Sequence, residues 1–439
     1  MLNHFERALR YQRIFGTRQL LREVWTRALR RLRGVSPALA QAGASVTDSL
    51  TWVSARELAA RQAPACAALR LFTIPSASPG RISMVTDSIN RGSLYGGVGT
   101  AIILAALLAQ ARGERLRIIT RTERASPAGL ATVLGTYGIA LDHDIELAHA
   151  PFHDTVHEID RFPGELFLTT SWWTTAATLG AVEPSAVVYL LQEDERMFYA
   201  HGDEHLRCAR VLARDDIRFV INTRLLYDHL LASGLGQLAQ CGRWFEPAFP
   251  SSVFHPAEPA PGSRRRLFFY ARPNNQRNLF HFGLEVLEAA IARGIIDLQT
   301  WDLVLVGKDI PRLRFDEGRY TPELLENLSW TDYAGLVGRT DLGLCLMYTP
   351  HPSYPPLDLA ASGAVVVTNT FGNKQDLSGY SPNILCAPPS LEPMLAALTQ
   401  GLALAQDRAQ RQANHRASGL GRDWRLALSG VVAELARRA

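Results

Sequence analysis

Two kinds of apolar pattern recur along this chain. Short unbroken runs such as Val365-Val366-Val367 and Val187-Val188-Tyr189-Leu190-Leu191 have no polar face, which suits strands covered on both sides. Between them lie longer apolar stretches such as Thr100–Ala111, which suit helices. The pattern predicts strands at Arg81–Thr86, Leu116–Thr120, Leu166–Thr169, Ala186–Leu191 and Phe219–Asn222. A second set follows at Leu267–Ala271, Leu303–Val306, Leu342–Leu346 and Val365–Thr368, with helices at 278–293 and 331–338. Strands alternating with helices imply parallel sheets with crossover helices, an α/β doubly wound architecture. Residues 246–263, rich in Pro, Ser, Ala and Gly, read as a linker. Two such units joined by a linker form an interdomain cleft, where ligands usually bind.

Length and composition fit this picture: 439 residues with 47% hydrophobic content can bury two sizeable cores. No apolar run is long enough to span a bilayer, and the N-terminus lacks a signal-peptide core. Cys66, Cys208, Cys241, Cys345 and Cys386 are scattered without paired metal spacing, as expected of buried thiols in a reducing cytoplasm. The net charge is +4, and the cations are almost all arginine, Lys308 and Lys374 being the only lysines. Residues 1–34 concentrate nine arginines against Glu6 and Glu23, with Leu2, Phe5, Leu9, Leu21, Val24, Trp25 and Leu29 at helical spacing. Such a basic amphipathic extension either lies in an anionic membrane interface or packs on the protein with a solvated basic face. No nucleic-acid motif accompanies the charge.

Four segments carry candidate chemistry. In His351-Pro352-Ser353-Tyr354-Pro355-Pro356-Leu357-Asp358, a proline-stiffened loop leads into a helix expected at Leu357–Ser362, closed by Gly363. The amides of Ser353 and Tyr354 near that helix start suit a phosphate, and Asp358, expected on its first turn, suits a ribose diol. Gly96-Gly97-Val98-Gly99 allows close backbone approach ahead of a helix, but its spacing is not a dinucleotide fingerprint. Arg272 at a strand end and Arg277 before a helix are candidate cations for a diphosphate. Gln192-Glu193-Asp194-Glu195 follows a strand and offers carboxylates for acid–base work. His201-Gly202-Asp203-Glu204-His205 matches a zinc-protease pattern, but Gly202-Asp203 argues against a helix start within it. A helix cap at Asp203 leading into Glu204–Ala213 explains it more simply.

The His351–Asp358 segment resembles the donor-binding motif of retaining nucleotide-sugar glycosyltransferases of the GT-B architecture, GT4-like group, with Asp358 matching the second acidic position and His351 replacing the first. Gly96 and Gly97 resemble the glycine loop that faces donor phosphates or acceptor in that fold. Arg272 keeps the family arginine, and Arg277 stands in for a lysine. The stretch Gln192–Tyr199 and the later His-Pro-Ser-Tyr-Pro-Pro-Leu together resemble the WsaF-type rhamnosyltransferases over roughly residues 80–390. Glu193 and Glu195 fall at that family's acidic positions, while Arg196 replaces its proline. The resemblance implies two facing Rossmann-like domains: a helical extension at 1–50, an acceptor domain at 51–245, a linker at 246–263, a nucleotide-sugar domain at 264–395, and C-terminal helices at 396–439 packing across the cleft. It implies dTDP-L-rhamnose as donor, a glycan acceptor, retention of configuration, no metal and no other cofactor. A cytoplasmic enzyme, peripheral on the inner face of the plasma membrane if residues 1–34 bind lipid, is the expectation. Two rivals stand beside it: another sugar nucleotide as donor, and a noncatalytic scaffold of a polysaccharide-assembly complex.

Overall fold

A computed structural model of the chain describes residues 54–75, 79–90, 96–258 and 262–437. The basic segment 1–34 and Tyr95 of the glycine loop lie outside the described residues. The chain divides into two compact units, Met1–Gln62 and Ala63–Ala439. In the first, the described part is the short helix Ala55–Arg61, capped by the Ser54 hydroxyl.

The larger unit holds two parallel sheets. The first contains β2 (Arg81–Thr86), β3 (Arg115–Thr120), β4 (Glu146–His149), β6 (Leu166–Thr169), β7 (Val187–Leu191), β8 (Arg218–Asn222) and β9 (Gly242–Phe245), in the order β4-β3-β2-β6-β7-β8-β9. A separate two-stranded pair joins β1 (Leu71–Thr73) to β5 (Ile159–Arg161). The second sheet contains β10 (Arg265–Ala271), β11 (Trp301–Gly307), β12 (Glu323–Glu326), β13 (Leu342–Leu344), β14 (Val365–Asn369) and β15 (Ile384–Ala387), in the order β12-β11-β10-β13-β14-β15. In each sheet the chain winds outward one way and then crosses back beside its first strand. Crevices for ligands open at the carboxyl ends of the strands at such switch points. These fall between β2 and β6 and between β10 and β13.

Both sheets are buried on both faces, as the unbroken apolar runs require. Leu267 and Phe269 enter one core and Phe268 the opposite one; Val365 and Val367 face one way and Val366 the other. The helix Gly97–Arg112 is apolar all round and correspondingly buried from Gly99 to Ala109, and it stops at Gly113 in the left-handed conformation. Among the described residues between β9 and β10 none forms a helix or strand, yet Phe249, Val253 and Phe254 are buried in the core of the second sheet. Helix Leu391–Gln406 packs on β14 and β15, whereas the last helix, Trp424–Ala436, packs on Gly97–Arg112 and β9 of the first sheet. The chain therefore returns to its first half at its end, and Arg422 fastens the return by donating to the carbonyls of Phe249, Phe254 and Ala361.

Two local expectations change. The helix at Asp203–Leu212 starts at Asp203 itself, with Gly202 at the cap position and no side-chain cap bond. Asp203 acts as a first-turn acid, favoured by the helix dipole. The His201 and His205 rings stack 4.6 Å apart, and no group of three metal-ligating side chains occurs among the described residues. The helix before β14 spans Tyr354–Ala361, starting earlier than Leu357 because Pro355 and Pro356 sit in its first turn, where a missing N–H costs nothing. Asp358 consequently lies on the second turn.

Candidate active site

The carboxyl ends of the two sheets enclose a cavity of about 340 Å³. Gly96, Gly97 and Glu193 line it from the first half, and Arg272, Ser353, Tyr354 and Asp358 from the second. Seven of the nine residues singled out in the sequence are thus brought to one space. Lys308, His351 and Met347 join them, with an aromatic wall that includes Tyr137, Trp330, Tyr333 and Trp424.

Arg272 follows β10 at the second switch point, its guanidinium 3.5 Å from the Tyr270 hydroxyl. Lys308, just past the neighbouring β11, supplies a second, exposed cation to the same cavity. Gly307 beside it must be glycine: a Cβ there would fall 1.8 Å from the Ala271 carbonyl oxygen. Asp358 is buried and accepts the Tyr333 hydroxyl at 2.9 Å. Burial pushes its carboxyl up to about 8, against the opposing effect of that hydrogen bond. A group with ribose-like donors would restore the ionised form.

Glu193 sits where the two halves meet. Its Oε1 is 3.5 Å from the Thr349 hydroxyl and its Oε2 is 3.8 Å from Arg277 Nη1, too long for a hydrogen bond. Among the described residues neither Oε2 nor that Nη1 has a hydrogen-bond partner. Burial pushes the carboxyl up to about 7, with Arg277 and nearby Lys374 pulling the other way. Lys374 is fully buried and donates from Nζ to the Met347 carbonyl at 2.6 Å; burial lowers its ammonium to about 8. Sequence reasoning missed Lys374 and Lys308, although they are the chain's only lysines and that rarity was the available signal.

Four expected site residues behave differently. Glu195 does not line the cavity: the 3₁₀ turn Glu195–Phe198 points it inward, where Oε2 accepts the Trp172 amide at 2.7 Å. Arg277 does not line it either, because its guanidinium lies 4.0 Å over the Phe198 ring and faces Glu193. The Ser353 amide is already taken by His351 Nδ1 at 2.9 Å, since a φ of 72° at Ser353 turns it back on the loop. Tyr354 sends its side chain across the cleft, accepting from Asn222 Nδ2 at 2.8 Å and donating to the Thr100 hydroxyl, which donates to the Gly96 carbonyl at 3.1 Å. With prolines at 355 and 356, little of this helix start remains free to hold a phosphate. The glycine loop is tight for a related reason: a Cβ on Gly96 would approach the Tyr354 ring to 3.3 Å, and one on Gly97 would approach Gln192 Nε2 to 2.9 Å.

The structural role of Glu195 has a pH signature. Burial pushes its carboxyl from the usual 4.5 up to about 8. A carboxyl that holds its proton more tightly when folded contributes full stability below its unfolded value, and the contribution is lost as pH climbs through the folded one. Glu195→Gln should therefore gain stability relative to the unmodified protein between pH 5 and 8, by at most about 1.4 kcal/mol per pH unit. Chemical denaturation at both pH values measures this; a pH-independent difference would contradict it.

A doubly wound pair of domains closing on such a cavity is the GT-B glycosyltransferase architecture, and comparison with known proteins agrees. Models of the WsaF N-terminal and C-terminal domains match residues 81–223 and 265–399, the two halves that form the cavity. The chain belongs to the WsaF-like GT-B glycosyltransferases. It is 31% identical over 255 residues to the O-antigen biosynthesis protein RfbC of Myxococcus xanthus, covering 57% of this chain. The chain spans 19% of the length of that relative. Among solved structures, WaaG, a glycosyltransferase involved in lipopolysaccharide biosynthesis, superposes with a TM-score of 0.56 at 14% identity, over 81% of this chain and 99% of its own. Anabaena HepE in complex with UDP and glucose gives 0.56 at 13%, with the same coverage. Sucrose-phosphate synthase from Thermosynechococcus elongatus gives 0.55 at 14%, over 81% and 97%. These likenesses establish the fold.

Proposed function

We propose that this glycosyltransferase moves L-rhamnose from dTDP-L-rhamnose onto a growing surface polysaccharide or lipid-linked glycan, with retention of anomeric configuration. The observation that carries the reading is the meeting of Glu193, Arg272 and Asp358 on one cavity between the two halves. Asp358 binds the ribose, and Arg272 with Lys308, rather than a divalent metal, holds the diphosphate and stabilises the charge that builds as it departs. Glu193 Oε2, buried and without a hydrogen bond, orients or deprotonates the acceptor hydroxyl. The rhamnose assignment is supported by the motif resemblance, and polysaccharide assembly by the O-antigen relative. A nucleotide screen tests the donor: dTDP should raise the melting temperature of the purified chain by mass action, and dTDP-L-rhamnose should do so more than UDP-glucose. A stronger response to UDP-glucose would assign the site to another donor.

No helix among the described residues is long and apolar enough to cross a membrane. We place the enzyme at the cytoplasmic face of the plasma membrane through the basic segment 1–34. Deleting residues 1–34 should abolish co-sedimentation with anionic vesicles and leave nucleotide binding intact. Equal sedimentation of the truncated and full-length chains would remove the membrane role.

A further inference from the structure

Lys374 is a buried residue on an exposed turn, and the mechanism above gives it no role. Phe371 and Lys374 exchange backbone hydrogen bonds of 2.9 and 2.7 Å, and Gly372 at a φ of 52° lets the chain reverse between them. Gly372, Asn373, Gln375 and Asp376 face solvent, whereas Lys374 is 0% exposed. The turn thus drives a long cationic side chain into the protein just past β14. Burying an ammonium is costly unless a compensating charge is near. Bracing the loop does not account for it. Nζ donates to the Met347 carbonyl, but Asn369 already donates to that carbonyl at 3.0 Å and accepts the Met347 amide at 2.7 Å. Asn278 holds the preceding Leu346 carbonyl at 3.2 Å. Two neutral amides therefore pin this segment without a charge.

The compensating charge comes from the first half. The groups around Lys374 that can form anions are Glu193 and Cys386, and burial pushes the Cys386 thiol up to about 11, which leaves Glu193. Glu193 in turn lies 3.5 Å from the hydroxyl of Thr349, two residues past Met347, and 3.8 Å from Arg277. Its cationic neighbours, Arg277 and Lys374, both belong to the second half, while Asp194 and Glu195 on its own loop oppose them. We propose that Lys374 is a positioning residue for Glu193: its buried ammonium favours the ionised carboxylate from across the cleft and so sets the pH range in which Glu193 can take the acceptor proton. This rests on the reading of Glu193 as the base. Lys374 is absent from the cavity wall, so it acts through the field of its charge, which a water-poor interior screens little, and not by touching donor or acceptor.

Two variants and a spectroscopic titration test this. Lys374→Met removes the charge and the donor to Met347; Lys374→Gln removes the charge and keeps a donor. With dTDP-L-rhamnose and a lipid-linked glycan, the acid limb of the transfer rate should move up by about one pH unit in both. The rate at pH 6 then falls about tenfold, while at pH 9 it converges on that of the unmodified protein. An unmoved limb, or a pH-independent loss in Lys374→Met that Lys374→Gln rescues, would overturn the proposal and leave Lys374 a loop brace. The titration needs neither variant to fold. Because Lys308 and Lys374 are the chain's only lysines, carbon-13 at lysine Cε gives two signals, and Lys308→Arg tells them apart. Coupled groups shift each other reciprocally, so Glu193→Gln should lower the midpoint of the Lys374 signal from about 8 by about one pH unit. A midpoint that ignores Glu193→Gln would overturn this inference alone. Undiminished transfer in Glu193→Gln would instead remove the base reading, whatever the lysine signal does.

Discussion

Replacing Glu193 with glutamine is expected to slow sugar transfer by about two to four orders of magnitude while leaving nucleotide affinity nearly unchanged. The substitution keeps size and removes charge. Interactions stronger in the transition state than in the ground state lower the barrier, and a base acting on the acceptor hydroxyl is of that kind. The pH profile sharpens the expectation. Because burial holds this carboxyl at about 7, the rate in the unmodified protein should climb about tenfold per pH unit below 7 and then level. The glutamine variant should lack that limb. Steady-state kinetics from pH 5.5 to 8.5 measure both features. An unaltered rate would move proton transfer to the leaving phosphate, and a collapse of nucleotide affinity would make Glu193 part of the donor site.

The second large effect belongs to Arg272. Its alanine variant should bind nucleoside diphosphate more weakly by roughly 1.5–3 kcal/mol, the scale of a charge-assisted hydrogen bond, or about ten- to a hundredfold in affinity. Folding should be little affected, since among the described residues the guanidinium makes only a long hydrogen bond, to Tyr270, and it lies at a strand end rather than in a core. Calorimetric titration of the folded variant measures the loss. Affinity within a factor of about two of the unmodified protein would assign the diphosphate to Lys308 alone.

The strands inside each sheet were legible because both faces are covered and their runs are continuously apolar. Those the pattern overlooked in the two main sheets, β4, β9, β12 and β15, are their edge strands. Edges bury less: β12 reads Glu-Leu-Leu-Glu with both ends exposed, and β9 exposes Arg243 and Trp244. At the site, Arg272, Glu193 and Asp358 could be placed because each follows a strand or lies on a helix next to one. The orientations of Glu195, Ser353, Tyr354 and Arg277 could not, although Ser353 and Tyr354 do line the cavity, because irregular backbone at or just before them sets where they point. The inward 3₁₀ turn at Glu195 and the positive φ at Ser353 leave no periodic trace. Tyr137 and Trp424 escaped notice for a different reason: they reach the cavity from elements far from the strand-end motifs in sequence, Tyr137 from the end of the helix Ala128–Thr136 and Trp424 from the start of the returning last helix.

Sugar transfer from a nucleoside diphosphate at the cavity between the two halves is the reaction that Glu193, Arg272 and Asp358 are proposed to serve. Incubating the purified chain with dTDP-L-rhamnose labelled in the sugar and with dTDP-L-rhamnose labelled in the nucleotide, each with a lipid-linked glycan acceptor, tests it most directly. Release of dTDP matched by label in the glycan is expected, lost together in Glu193→Gln and retained in Glu195→Gln. A chain that binds dTDP, yet releases none from this or any other dTDP- or UDP-sugar supplied with acceptor, would contradict it and leave a noncatalytic scaffold with a glycosyltransferase fold.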